Sequence, residues 1–493
     1  MSINEFPFIK KFKIDNKFYI YDVNTNSFLK VDELVYTLID KVKRHYSEVS
    51  SILKKYPATK IEEVTKNINI MKKKGYFSNH RPKITYLHTL TKEDLISYIE
   101  DILNNRLLKI TMVLSERCNM RCRYCAYSGI YLYNRKHSNK TMSPKVMKKA
   151  VDFYFSHSSI NDEKNLSIYG GEPLYSFELL KECINYIRNQ YTTQAQYNMT
   201  TNGTLLDNNR VEFLVENQFS LLVSIDGPKK THDQYRVFRN GKGTFDCIIR
   251  NLKKMKALYP EYYQSKVRFN IVMHPPLDFE RINEFISDPA IRPASIRFSD
   301  VNNHFTTFFN RFNSDQMEAF RNSKKNIRNS FYSKVINGDE LNEVERSLFR
   351  TKFLYLHRRD MNLLADKYPS NGQCIIGERA LLVNIDGSLN FCSRIDDSFN
   401  LGNVFTGYDY KRIEMIYFDM ERLFAKRCYG CWAIRFCMKC IKDINKNGEV
   451  DEEVFLQYCS SRKKAILNEI KDYIKIRESN SHALDYLEEI KIS

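Results

Sequence analysis

Cys118-Asn-Met-Arg-Cys122-Arg-Tyr-Cys125 is the stretch from which the fold of this chain can be inferred, because it holds three cysteines at C-x3-C-x2-C spacing. Three thiolates can bind three irons of a [4Fe-4S] cube and leave the fourth iron open to another ligand. Electron-transfer clusters use four cysteines, whereas this stretch offers three. A structural zinc knuckle is the alternative for the triplet taken alone. The spacing favours a cluster with one free coordination position.

Composition places the chain among multidomain globular proteins. Its 493 residues exceed one ordinary core, and 43% are hydrophobic and 28% charged. No apolar run is long enough for a membrane span or a secretory signal, so we expect a cytoplasmic protein with no membrane partner. In that reducing compartment twelve cysteines, ten of them in local clusters, indicate metal or iron-sulfur ligation. The formal charge of +18 is spread over predicted helix surfaces, which disfavours a nucleic-acid partner.

From about residue 106 the pattern alternates between strands and helices, as in a parallel α/β sheet. The six predicted strands are Leu107–Leu114, Leu166–Tyr169, Gln196–Thr200, Leu221–Ile225, Val267–Met273 and Ser295–Ser299. Before them, Phe12–Asp22 and Asn26–Val31 are β-type runs, and helical periodicity covers Asp32 to about His45 and Lys60–Lys74. A hairpin followed by helices is the outline of a winged-helix domain.

The cysteine triplet and the strand before it resemble the radical S-adenosylmethionine (SAM) superfamily. This resemblance implies a partial (β/α)6 barrel of the TIM type, and an enzyme in which the open iron binds SAM. One electron then cleaves SAM to a 5'-deoxyadenosyl radical. Cys118, Cys122 and Cys125 are accordingly the predicted cluster ligands and catalytic residues.

Several strand ends resemble the SAM-binding segments of that family. Gly170-Gly171-Glu172-Pro173 follows the second strand, where glycines allow close backbone approach and a carboxylate can pair with the SAM ammonium. Each of these segments is also an ordinary strand-to-helix turn when taken alone. The predicted SAM contacts are Gly170, Gly171, Glu172, Asn202, Ser224, Asp226 and Arg236, with Arg239 as an alternative to Arg236 and Asn270 as a candidate facing the barrel lumen.

Seven more cysteines fall between residues 374 and 459. Their pattern resembles the SPASM domain, which carries two auxiliary iron-sulfur clusters. The resemblance assigns one cluster to Cys428, Cys431, Cys437 and Cys459, and the other to Cys374, Cys392 and Cys440. Two residues, not the familiar three, separate Cys437 from Cys440, and the second cluster lacks a fourth cysteine. A zinc ribbon is the alternative for the C-x2-C-x5-C-x2-C part.

The N-terminal unit resembles the RiPP recognition element, a winged-helix module that binds the leader of a ribosomally made precursor peptide by strand addition. Residues 1–85 hold 17 Lys and Arg against 9 Asp and Glu, which suits an acidic leader. We therefore predict five segments: the recognition element (1–85), a linker helix (86–105), the barrel (106–300), a bridging segment without clear period (301–370), and the SPASM domain with a C-terminal helix from Ser461 to about Arg477 (371–493).

The predicted function is that of a radical SAM peptide maturase of the ranthipeptide or sactipeptide type, which forms cysteine thioethers and receives electrons from reduced flavodoxin or ferredoxin. Carbon-carbon cross-linking, epimerisation and formylglycine formation are alternatives in the same class. Against formylglycine formation, Ser393 stands where the related sulfatase-maturing enzymes have an Asp. A non-enzymatic metal protein that binds nucleic acid is the alternative from another class.

Overall fold

The computed structural model describes residues 6–40, 54–85, 92–302, 305–369, 374–395 and 398–490. The strands in these ranges are β1 (Ile9–Ile14), β2 (Lys17–Asp22), β3 (Ser27–Val31), β4 (Lys83–Thr85), β5 (Ile110–Ser115), β6 (Lys164–Gly170), β7 (Ala195–Thr201), β8 (Ser220–Ser224), β9 (Val267–Met273), β10 (Ser295–Asp300), β11 (Lys367–Pro369), β12 (Leu381–Val383), β13 (Ser388–Asn390), β14 (Asn400–Asn403), β15 (Gly407–Tyr408), β16 (Asn445–Lys446) and β17 (Glu449–Val450). The α-helices are α1 (Glu33–Leu38), α2 (Ala58–Lys73), α3 (Lys92–Asn105), α4 (Pro144–Ser156), α5 (Phe177–Gln190), α6 (Asn208–Glu216), α7 (Lys229–Tyr235), α8 (Phe245–Leu258), α9 (Pro260–Lys266), α10 (Phe279–Ser287), α11 (Ser314–Asn337), α12 (Glu343–His357), α13 (Tyr410–Cys428) and α14 (Glu452–Ser479).

One sheet of ten strands joins the central part of the chain to the cysteine-rich C-terminal part. Its order is β10-β9-β8-β7-β6-β5-β12-β13-β14-β15, and β5 to β10 are parallel neighbours in chain order. All six predicted barrel strands are present, with ends shifted by no more than three residues. Strand β12 pairs in parallel with β5, with Leu381 opposite Ile110. The C-terminal part therefore lies beside the strand that leads into the cysteine triplet.

The N-terminal sheet has three antiparallel strands in the order β1-β2-β3. The prediction of one strand over Phe12–Asp22 is wrong, because Asp15 and Asn16 have φ of 46° and 62° and form a tight turn between β1 and β2. Asp and Asn tolerate this left-handed conformation, so the pair was a turn signal. Of the predicted helix from Asp32 to about His45, α1 lies in the described part, and residues 41–53 lie outside it.

The N-terminal sheet packs directly on the cysteine-rich part. The Tyr21 ring lies 5.3 Å from the Phe436 ring and 6.5 Å from the Trp432 ring, centroid to centroid. The Arg435 guanidinium donates hydrogen bonds to the carbonyls of Val23 (2.8 Å) and Asn24 (3.0 Å). The loop between two predicted cluster cysteines thus forms part of an interdomain interface.

The segment predicted to lack a period instead holds two long helices, α11 and α12. Both begin with a capping box, in which the N-cap side chain and the residue three positions later satisfy each other's backbone N–H groups. The pairs are Asn313 with Gln316 and Asn342 with Glu345. These N-x-x-Q and N-x-x-E signals were present in the sequence. None of the described helices has both the length and the apolar character required to cross a bilayer.

The last long helix begins earlier than predicted, at Glu452 instead of Ser461. The Asp451 side chain accepts a hydrogen bond from the Val454 N–H and caps it, and two glutamates occupy the first turn, where the helix dipole favours negative charge. Cys459 consequently projects from a helix and not from a loop.

Candidate active site

The cysteine loop follows β5 and is held by backbone hydrogen bonds to the end of α7 and to the residues after it. The Arg121 N–H donates to the Val237 carbonyl (2.8 Å), and the Arg123 N–H donates to the Tyr235 carbonyl (2.9 Å). Cys118, Cys122 and Cys125 all line one cavity of about 810 Å³ at the carboxyl ends of the parallel strands. Sites in parallel barrels collect at this edge.

Burial raises the pKa of the Cys118 and Cys122 thiols to about 12 and that of Cys125 to about 11. Only thiolates ligate iron, so metal would replace the three protons. The donor set fits a [4Fe-4S] cluster held by three cysteines, because the three thiols share one cavity whose remaining lining can receive a further ligand.

Each of the three thiols has one side-chain nitrogen beside it. The Asn202 amide nitrogen lies 3.8 Å from the Cys118 sulfur, and an Arg236 guanidinium nitrogen lies 3.9 Å from the Cys122 sulfur. His137 Nε2 lies 3.7 Å from the Cys125 sulfur. His137 was not predicted from the sequence as a site residue. It lies in the loop after the triplet, and no local sequence pattern shows that this loop folds back to the site. Hydrogen bonds to cluster sulfurs tune reduction potentials, so these neighbours can influence the metal.

The two glycines after β6 are required by the cysteine loop. A Cβ on Gly170 would lie 2.2 Å from the Ser115 carbonyl oxygen, and one on Gly171 would lie 2.2 Å from the Arg117 carbonyl oxygen. Both glycines also line the cavity. Their missing side chains let the end of β6 pack against the cysteine loop, so the two predicted segments form one unit.

The side chain of Glu172 does not line the cavity, although it was predicted to pair with the SAM ammonium. Its buried carboxylate accepts hydrogen bonds from the Thr201 hydroxyl (2.8 Å), the Asn202 N–H (2.7 Å) and the Leu174 N–H (3.3 Å). Burial raises its pKa to about 7, against the effect of these donors. Glu172 therefore fastens the turn after β7 to the end of β6.

Asp226 is also buried away from the cavity, in contrast to its predicted contact with SAM. It pairs with Arg236 (3.0 Å) and accepts hydrogen bonds from the Tyr124 hydroxyl and the Val272 N–H. Burial alone would raise the pKa of Asp226, but Arg236 and then His274 lower it below its ordinary value. Asp226 thus fixes Arg236 and the tyrosine between two cluster cysteines.

Most of the other predicted contacts line the cavity. They are Asn202, Ser224, Arg236 and Asn270, whereas Arg239 is not among the lining residues. Part of the cavity rim comes from the C-terminal part and includes Ser393, Arg394, Lys442 and Asp443. These rim residues are chain neighbours of Cys392 and Cys440, so two predicted auxiliary ligands lie next to the cavity.

Comparison with known proteins identifies the superfamily to which the domain around this site is similar. Residues 112–288 match the family model of the Radical SAM superfamily. This stretch is a radical SAM domain. The chain is 32% identical over 151 residues to a cysteine-type anaerobic sulfatase-maturating enzyme of Clostridium novyi (strain NT), covering 30% of this chain and 40% of the relative. It is 22% identical over 292 residues to the radical SAM cyclopropyl synthase TigE of Paramaledivibacter caminithermalis, covering 56% and 58%.

A solved structure supports the fold. Native anSMEcpe with bound AdoMet superposes with a TM-score of 0.53 at 18% identity, covering 78% of this chain and 100% of that chain. The prediction of a radical SAM α/β fold is confirmed by both comparisons. The predictions of an enzyme, and of SAM and a [4Fe-4S] cluster as cofactors, are confirmed at the level of the superfamily that residues 112–288 match. The chain spans 40% and 58% of the length of the two relatives named above.

Outside the radical SAM domain, burial also raises the pKa of C-terminal thiols, and neighbouring cysteines add to this effect. Burial raises the pKa of Cys428 to about 12, against the effect of Lys439 and with smaller contributions from Cys431, Cys459 and Cys437. Burial likewise raises the pKa of Cys392 to about 12, with smaller contributions from Cys440 and Cys374. Among the described residues, no three His, Cys, Asp or Glu side chains are grouped as ligands of a single metal ion.

Proposed function

We propose that this chain is a radical SAM enzyme that modifies a ribosomally made precursor peptide and forms a thioether at a cysteine of that peptide. The observation that carries the proposal is the shared cavity, whose lining includes both the cysteine loop and Ser393, Arg394, Lys442 and Asp443 of the C-terminal part. A substrate in this cavity would lie near both the radical source and the thiols next to these C-terminal residues.

In this proposal Cys118, Cys122 and Cys125 hold the SAM-binding cluster. When bound, the cluster and SAM supply the electron and the radical that removes a substrate hydrogen. The chain's own residues bind and orient SAM: Gly170 and Gly171 offer backbone groups at the cavity wall, and Asn202, Ser224 and Arg236 offer polar side chains. Glu172 and Asp226 act from behind the wall, as positioning residues.

The proposed auxiliary ligands are Cys428, Cys431, Cys437 and Cys459 for one cluster, and Cys374, Cys392 and Cys440 for the other. In thioether formation the peptide loses one thiol hydrogen and one C–H hydrogen, and a C–S bond forms. One hydrogen would leave in 5'-deoxyadenosine and one proton would leave to solvent, and a cluster held by these cysteines would take up the remaining electron. The set with three cysteines leaves room for the substrate thiolate. Ser393 at the rim disfavours the formylglycine reaction, for which an Asp was expected here.

Residues 1–85 are proposed to bind the leader of the precursor. In the described part, β1 and β3 are each paired on one side only, so the three-stranded sheet has two edges that can accept an extended peptide. Packing of Tyr21 on Phe436 fixes this sheet against the part of the chain that forms the cavity rim. A bound leader would raise the local concentration of the core peptide at the cavity.

Similarity to sulfatase-maturating enzymes supports a protein or peptide substrate. Reduced flavodoxin or ferredoxin is the proposed electron donor, and a cytoplasmic location stays a prediction. Carbon-carbon cross-linking, epimerisation and formylglycine formation are the other outcomes of the test below.

The test is co-expression with a short, cysteine-containing precursor encoded beside this gene, followed by mass spectrometry. A loss of two hydrogens per modified cysteine, with that cysteine protected from alkylation, is expected. The same loss with a free thiol would indicate a carbon-carbon cross-link, an unchanged mass with a D-residue would indicate epimerisation, and loss of sulfur would indicate formylglycine. The variant lacking Cys118, Cys122 and Cys125 is the matched control.

A further inference from the structure

The burial of Lys439 and its neighbour Met438 is the reverse of what their polarity predicts. Between Cys437 and Cys440, the Met438 side chain is 43% exposed, whereas Lys439 is 1% exposed. A lysine is almost never fully buried unless its charge is paired, and methionine is the natural interior residue of such a dipeptide. The fold therefore buries the cation in preference to the apolar side chain.

The buried ammonium has no anionic partner among the described residues. Lys439 Nζ makes no hydrogen bond there, and no carboxylate of these residues lies within ion-pair distance. The ammonium lies over the face of the Phe424 ring, 5.1 Å from the centroid. Burying an unpaired charge is strongly unfavourable, so we expect a negatively charged group beside this ammonium in the functional protein.

The source of that negative charge is the surrounding thiols. Lys439 stands two residues after Cys437, and the Phe424 ring beneath it belongs to the helix that ends at Cys428. That ring lies 5.7 Å from the ring of Phe455, centroid to centroid, on the helix that carries Cys459. The ammonium is therefore buried among the elements that carry three of the four cysteines of the proposed cluster set. Four thiolates around iron carry negative charge that a single buried cation can partly balance. This inference rests on the proposed function, because it needs a cluster at these cysteines.

We propose that Lys439 is the internal counter-ion of the auxiliary cluster held by Cys428, Cys431, Cys437 and Cys459. A fixed cation beside a cluster stabilises the reduced state, which carries one more negative charge, and so raises the reduction potential. The residue would thereby suit this cluster to accept the electron that the modified peptide releases. Lys439 is a positioning residue in this role, since it acts through the cluster and does not contact the substrate cavity.

The experiment uses the full chain with Cys118, Cys122 and Cys125 replaced by Ala, so that only auxiliary clusters remain after anaerobic reconstitution. The midpoint potentials are measured by EPR-monitored redox titration in four proteins. These are the triple-alanine parent and the same parent with Lys439→Met, Lys439→Arg or Lys464→Met added. Lys464 is an exposed lysine on the helix that carries Cys459, so its removal controls for loss of charge at a distance.

One midpoint potential should fall in Lys439→Met by at least about 59 mV, a tenfold change in the one-electron equilibrium, and stay at the parent value in Lys439→Arg and Lys464→Met. Loss of one cluster's iron in Lys439→Met, with that iron retained in Lys439→Arg, would support the same role. Full iron content with unshifted potentials in Lys439→Met, or equal iron loss in both Lys439 variants, would overturn it. Zinc in place of iron in the parent would instead refute the proposed auxiliary clusters, and this inference with them.

Discussion

Replacing Gly171 with alanine should remove the SAM-binding cluster and leave the rest of the protein folded. The added Cβ would lie 2.2 Å from the Arg117 carbonyl oxygen, and real Cβ contacts are essentially never under 3.0 Å. The backbone next to Cys118 must therefore retreat by at least about 0.8 Å, which exceeds the roughly 0.5 Å within which a preorganised site has to be held. Because the obstacle is backbone, no side-chain rotation relieves it.

The assay is iron content after anaerobic reconstitution, together with 5'-deoxyadenosine release from SAM after reduction. Gly171→Ala should lose one cluster's share of iron and nearly all SAM cleavage, and the auxiliary iron serves as an internal standard. Gly338→Ala is the control: its φ of +78° strains an alanine by about 1–2 kcal/mol, but a Cβ there meets no atom within 4 Å. Normal iron and normal cleavage in Gly171→Ala would refute the close packing of glycines on the cysteine loop.

Three further predictions test neighbouring parts of the structure. Asp226→Asn should lower stability by about 3–5 kcal/mol because it strands the buried Arg236 charge, and adding Arg236→Met should recover much of that loss in thermal unfolding; additive losses would contradict the buried pair. Arg435→Ala should speed proteolysis within residues 6–40, and an unchanged cleavage rate would argue against the interdomain contact. His137→Phe should lower the potential of the SAM-binding cluster, because it removes the imidazole nitrogen that can donate a hydrogen bond to the Cys125 sulfur. An unchanged potential in the redox titration would show that this contact does not influence the cluster.

The sequence was sufficient to predict the parts of the fold that depend on local pattern. Hydrophobic periodicity predicted the six strands and the helices between them, and the spacing of the cysteine triplet predicted the cluster-binding loop. The errors were also local: the turn at Asp15 and Asn16 and the capping boxes at Asn313 and Asn342 carried signals that periodicity alone does not detect.

The direction in which a carboxylate points could not be predicted. Glu172 and Asp226 both stand at strand ends, where a side chain can face the cavity or the neighbouring turn. Which way it turns depends on long-range partners, here Thr201 for Glu172 and Arg236 for Asp226. Likewise, nothing near Lys439 in the sequence distinguishes it from an exposed lysine, because its burial results from how the cysteine-rich loops fold around it.

The most direct test of the central claim is the reduction of anaerobically reconstituted protein in the presence of SAM, followed by quantification of 5'-deoxyadenosine. The intact chain should release it repeatedly once a precursor peptide is added, and the variant with alanine at Cys118, Cys122 and Cys125 should release none. Equal amounts from both proteins, or none from the intact chain despite a full complement of iron, would contradict a radical SAM site at the cysteine loop.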